Sequence, residues 1–92
     1  LFHAMDRIVT GAAGGSDAGR LGHGLGMQLT EQPSLIPADH TPLAPGMVLT
    51  LEPGMVVSED RIMVHEENIV ITETGAAWLS TPAAARIEVL ET

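Results

Sequence analysis

This 92-residue chain has no cysteine, no lysine and no tyrosine, and Phe2 and Trp78 are its only aromatic residues. Without cysteine there is no disulfide, no thiolate nucleophile and no zinc–thiolate site. That fits a reducing compartment, and a cytoplasmic location is expected. With so little aromatic bulk, the core is expected to be aliphatic, built from Leu, Ile, Val, Met and Ala. Positive charge is also scarce. Arg7, Arg20, Arg61 and Arg86 stand against 12 acidic residues, for a formal net charge of −8. Nucleic acid and anionic membrane surfaces are not expected partners, because little here offsets phosphate repulsion. No apolar run approaches the roughly 20 residues that span a bilayer.

The length allows one small domain. Apolar residues at 1, 2, 5, 8 and 9 predict an amphipathic helix over residues 1 to 10. No capping residue precedes it, so the chain is expected to begin inside or at the edge of a helix. Site partners are then expected on sequence outside this chain. Gly11 to Gly15 stop the helix, and Ser16 to Gly19 form a loop. Leu21 to Leu29 reads as a short strand whose glycines admit close approach to the backbone. Pro33, Pro37, Pro42 and Pro45 punctuate a loop of about fifteen residues, a length uncommon unless functional.

Met47–Val57 is the clearest strand, and Arg61–Thr72 is a second. Both faces of the second carry apolar residues, so it is expected to be buried on both sides. Glu73 to Gly75 form a turn and Ala76 to Ser80 a short strand. Residues 83 to 90 read equally as a helical turn or a strand. The fold class is α+β with a mainly antiparallel sheet.

Charged groups inside apolar strands need partners. His23 lies between two glycines in Gly22-His23-Gly24-Leu25-Gly26. Glu52 closes an apolar run, and Glu66-Glu67 interrupts another. A hairpin centred on Glu59 places Glu52 opposite Glu66, on one face of the sheet. Two facing carboxylates repel unless a proton or a cation lies between them. A two-residue turn shifts the register and selects Glu67 instead, and Pro53 invites a bulge. The pattern alone leaves both glutamates open. An imidazole with carboxylates suits Mn, Co, Fe or Zn. Three such ligands leave positions open on the ion, where bound water becomes a nucleophile.

Three segments, in order, resemble the C-terminal half of the pita-bread-fold metallopeptidases of family M24. This family contains methionine aminopeptidases, Xaa-Pro aminopeptidases, prolidases and creatinase-like relatives. The segments are Gly22-His23-Gly24-Leu25-Gly26, the run from Pro45 to Gly54, and the run from Glu66 to Gly75. The resemblance spans roughly residues 1 to 80. It implies a pita-bread fold, with residues 1–92 forming the C-terminal part of a catalytic domain whose N-terminal half is absent from this chain.

The resemblance implies that His23, Glu52 and Glu66 ligate metal, and so selects Glu66 over Glu67. In the family two aspartates from the preceding half complete a dinuclear site. Asp6, Asp17, Asp39 and Asp60 do not sit in that motif. The chain alone is therefore expected to bind metal weakly and catalyse little, with the missing half or a second copy as its partner. His23 and Glu52 are the implied catalytic residues, Glu52 handling a proton while a metal-activated water attacks a small peptide or amide bond.

Two positions depart from the family. Thr30 stands where its peptidases carry a second histidine, and Val64 where a polar or basic residue often steers substrate. Thr30, His65 and His40 are the candidate substrate-binding residues. Two alternative readings accompany the peptidase. One is a metal-free creatinase-like C–N hydrolase or a repurposed lyase. The other is a non-catalytic peptide-binding module.

Overall fold

The computed structural model describes residues 1–11 and 19–91. Gly14, Gly15, Ser16 and Asp17 lie outside the described residues, so the expected helix stop and loop are reported only at their edges. Helix α1 spans Phe2–Val9. Thr10 closes it, with its amide and its hydroxyl both donating to the Asp6 carbonyl, at 3.0 and 2.7 Å. Gly11 follows at φ 65, the left-handed turn that ends helices. The predicted apolar stripe faces inward in part. Phe2 and Asp6 are buried and Met5 and Val9 half-buried, whereas Ile8 is exposed.

Seven strands follow among the described residues: β1 Gly22–Gly24, β2 Glu31–Ser34, β3 Val48–Leu51, β4 Gly54–Ser58, β5 Arg61–Val64, β6 Glu67–Ile71 and β7 Ala76–Trp78. Five form one antiparallel sheet in the order β2-β1-β3-β6-β7, and β4 pairs with β5 in a separate hairpin. The fold is the expected α+β, antiparallel, with one flanking helix. Leu21 and Leu49 are fully buried. Phe2, Leu21 and Leu35 form the core cluster, with Met5 and Leu51 packed against it. The helix therefore covers the sheet face that carries Leu51.

Several expectations change. The predicted strand over Leu21 to Leu29 narrows to β1, because the chain bends away after Gly24. Pro33 belongs to a strand rather than to a loop. β2 is an edge strand, where a residue lacking an N–H is tolerated. Neither long strand is continuous. Each is interrupted near Pro53, giving β3 then β4, and β5 then β6. Nor is the second one covered on both sides. β5 is exposed throughout, and β6 buries only Glu67 and Ile69. Residues 81 to 91 take up neither helix nor strand.

The expected register holds across the interruption. Leu51 pairs with Glu67 in one ladder, Gly54 pairs with Val64 in the other, and the His65 amide donates to the Pro53 carbonyl at 3.1 Å. Glu52 and Glu66 thus stand across from each other between the two ladders. The hairpin reaches this register by another route than a centred turn. Its turn has two residues, Glu59-Asp60, and a bulge between Val56 and Ser58 restores the alignment.

Candidate metal centre

Strand alternation builds two different surfaces on this sheet. His23 pairs with Thr50, and Thr50 with Asn68, so these three side chains form one row on one face. Glu52 and Glu66, two residues along from Thr50 and Asn68, continue that face. Leu51 and Glu67, also paired, occupy the other face beneath α1.

His23 is held in place by its surroundings. A Cβ on Gly24 would overlap the carbonyls of Gln32 and Glu31, and one on Gly22 would overlap that of Thr50. The glycines on both sides therefore let β2 and β3 close on the His23 backbone. The His23 amide donates to Thr50 Oγ1 at 3.1 Å. The ring Nδ1 lies 2.7 Å from the Gly24 carbonyl oxygen. A carbonyl only accepts, so Nδ1 carries the proton. In the neutral ring Nε2 then presents a lone pair.

That Nε2 lies 2.8 Å from Glu52 Oε2, with the imidazole side chain 8% and the carboxylate side chain 27% exposed. The Thr50 hydroxyl donates to the same Oε2 at 2.6 Å. The Glu52 backbone is also fixed, its amide donating to the Leu21 carbonyl at 2.8 Å. Nearby on this face, Asn68 Oδ1 is buried with no hydrogen-bond partner among the described residues.

The structure therefore brings His23 and Glu52 into contact and sets Glu66, exposed, across from Glu52. Among the described residues no group of three or more His, Cys, Asp or Glu converges. His65 falls on the opposite face from His23. It alternates with Glu66 along the strand, and its Nε2 lies 3.1 Å from Glu67 Oε1. Glu67 is buried and also accepts the Ala83 amide at 2.8 Å. Thr30 and His40 are exposed, before and after β2, and neither bonds to His23 or Glu52. Thr50 and Asn68 were not singled out from sequence. Their signal was a polar residue two positions from a glutamate on a strand, which puts both on one face.

The pair fits a divalent cation by the chemistry of its donors. Metal-bound imidazoles commonly donate their other ring N–H to a carbonyl, as Nδ1 does here to Gly24. The lone pairs on Nε2 and Oε2 are then brought together where one cation, or one proton, relieves their repulsion. Among the described residues no helix is long and apolar enough to cross a membrane.

Residues 1–73 match metallopeptidase family M24. The peptidase YqhT of Bacillus subtilis is 44% identical over 54 residues, covering 59% of this chain and 15% of that protein. The Xaa-Pro dipeptidase of Pyrococcus furiosus is 40% identical over 60 residues, covering 65% of this chain and 17% of that protein. The crystal structure of a dipeptidase from Pyrococcus horikoshii OT3 superposes with a TM-score of 0.72 at 31% identity, over 89% of this chain and 24% of that one. The chain thus spans about a sixth of the length of the curated relatives it matches. Its antiparallel sheet and flanking helix are part of the pita-bread fold. By sequence and by fold, the chain belongs to metallopeptidase family M24.

Proposed function

We propose that this chain carries part of the metal centre of a hydrolase that cleaves a small peptide or amide bond, with His23, Glu52 and Glu66 as ligands. The observation that carries this reading is the His23 Nε2 lone pair aimed at Glu52 Oε2 at 2.8 Å, with Nδ1 anchored to Gly24. The alignment with an Xaa-Pro dipeptidase supports a substrate of the same class. When bound, a divalent ion such as Mn, Co, Fe or Zn supplies Lewis acidity and an activated water.

The chain's own residues orient and hold. Gly24 fixes the His23 ring and Thr50 fixes the Glu52 carboxylate. Since Oε2 is engaged by both neighbours, Oε1 is the Glu52 atom that accepts and returns a proton. Glu66 extends the same face across the hairpin. A second ion requires carboxylates that the described residues do not bring to the pair, so the rest of the domain or another copy would provide them. A cytoplasmic setting belongs to the same reading.

Calorimetric titration of the chain with Mn or Zn tests the assignment directly. Binding is expected for the natural sequence, is lost in His23→Ala and Glu52→Ala, and is weakened in Glu66→Ala. Unchanged metal binding in all three variants would overturn it. Assaying an Xaa-Pro dipeptide with the longer protein tests the activity, and binding of peptide without hydrolysis would favour a non-catalytic module.

A further inference from the structure

The face of the sheet away from His23 holds a groove of about 220 Å³. Met5, Ile8 and Val9 of α1 form one wall, and Leu51, Pro53 and Trp78 line the sheet side. Its two polar lining groups, His65 and Glu67, are already engaged with each other. The volume falls below the roughly 300 Å³ at which small-molecule pockets begin, so the groove suits a few aliphatic side chains. The segment that can supply them starts at its rim. After β7 the Leu79 amide donates to the Asn68 carbonyl at 3.1 Å, and the Ala83 amide then donates to Glu67 Oε1 at 2.8 Å. Beyond that tether, Ile87, Val89 and Leu90 are exposed. Arg86, Ile87, Glu88 and Val89 alternate polar and apolar, the pattern of a segment with one face to bury. That pattern is unspent, because residues 81 to 91 take up neither helix nor strand.

We propose that residues 84–90 form a strap that closes over this groove, placing Ile87 and Val89 between α1 and the sheet and leaving Arg86 and Glu88 in water. Fully extended, the segment from Ala83 to Ile87 spans roughly 13 Å at ~3.3 Å per residue, so Ile87 reaches from the Glu67 rim to the helix wall. The tether favours this occupant over a second copy, since a segment fixed at the rim meets the groove at a high effective concentration. Closure takes apolar surface of both groove and strap out of water. The groove lies behind the sheet, so the strap touches neither His23 nor Glu52. It holds α1 against the sheet face that carries Leu51.

Trp78 is the single tryptophan of the chain and lines the groove, so its fluorescence reports closure. Truncation after Ala85 should shift its emission to the red and raise iodide quenching roughly twofold, as the ring loses apolar cover. Ile87→Asp combined with Val89→Asp should do the same, whereas Arg86→Ala combined with Glu88→Ala should change neither. A peptide of residues 86–91, added to the truncated chain at about millimolar concentration, the regime a short tether provides, should reverse both effects, which an unfolded chain would not allow. Because the chain has no cysteine, Ile8→Cys combined with Ile87→Cys gives a direct check. Mild oxidation should form a disulfide within one chain, which requires the two Cα atoms to come within about 7 Å. A Trp78 signal indifferent to truncation would overturn the proposal. So would a disulfide that forms only between chains, the result expected of a second copy in the groove.

Discussion

The Thr50 hydroxyl donates to Glu52 Oε2 at 2.6 Å and accepts the His23 amide at 3.1 Å. One short side chain thus ties together the two residues whose tips meet at 2.8 Å. A hydroxyl has a single hydrogen, and here it goes to the carboxylate. Thr50 is also 2% exposed, so its hydroxyl is shielded from water. The geometry of the pair is built into β3 rather than left to two free side chains.

Thr50→Val keeps the shape and removes the hydroxyl. It leaves the His23 amide and Glu52 Oε2 each without that partner. Urea unfolding should show a loss of about 1–3 kcal/mol, the usual cost of stranding a buried polar group. Metal affinity should fall by about 10- to 100-fold, as when an orienting partner is taken from a ligand. Thr50→Ser should restore both. Unchanged unfolding and metal titration in Thr50→Val would mean that the hydroxyl orients nothing.

Glu66 and Glu67 are adjacent yet face opposite sides of the sheet, and paired variants should separate their roles. Glu67 holds His65 and the Ala83 amide from a buried position. Glu67→Ala should lose about 1–3 kcal/mol of stability, speed hydrogen exchange at Ala83 and leave metal binding intact. Glu66 is exposed, so Glu66→Ala should stay within about 0.5 kcal/mol of the natural stability while its metal affinity falls. The reverse pattern would assign the ligand to Glu67.

The register was legible because alternation is a strict rule of strands. The pairing that set Glu52 opposite Glu66 is the one found, although it comes with the two-residue turn that pointed to Glu67 and a bulge at Val57 that the sequence does not announce. The Val57 bulge and the two-residue turn compensate each other, and no local propensity in Val56-Val57-Ser58 announces that. The position of His65 follows from the same alternation, which puts it beside Glu67 and away from His23. Less legible was Pro33. Four prolines suggested loop, but strand membership depends on which strand lies at the edge, a property of the whole sheet. The burial expected for both faces of Arg61–Thr72 failed for a related reason. Apolar content shows what a strand can bury, whereas the partner that buries it is not written locally.

Gly24 is where the sheet closes around His23, and the backbone leaves no room there for a side chain. A Cβ would overlap the carbonyls of Gln32 and Glu31, and backbone yields less readily than a flexible side chain. Gly24→Ala should therefore destabilise the chain by about 1–3 kcal/mol and weaken metal binding as β1 and β2 separate. Gly75, whose Cβ would meet nothing within 4 Å, serves as the control. Gly75→Ala should change stability by less than about 0.5 kcal/mol. Equal unfolding midpoints for the two variants would refute the close-approach argument.

Asp39 gives the loop after β2 a dependence on pH. Its carboxylate accepts the Thr41 hydroxyl at 2.5 Å, the Thr41 amide at 2.9 Å and the Ser34 amide at 2.9 Å. These bonds hold its pKa below the ordinary aspartate value, with the Thr41 hydroxyl the largest cause, then the Thr41 amide, then the Ser34 amide. Between the lower folded value and the ordinary unfolded one, the unfolded chain binds more protons, so stability rises with pH. The contribution is complete above about pH 4 and is lost as the pH falls through the folded value. Hydrogen exchange at Ser34 and Thr41 should therefore accelerate, after correction for intrinsic rates, only on the acid side of that window. Asp39→Asn removes the titrating group and should flatten the profile. An unaltered acid profile in Asp39→Asn would show that another carboxylate sets it.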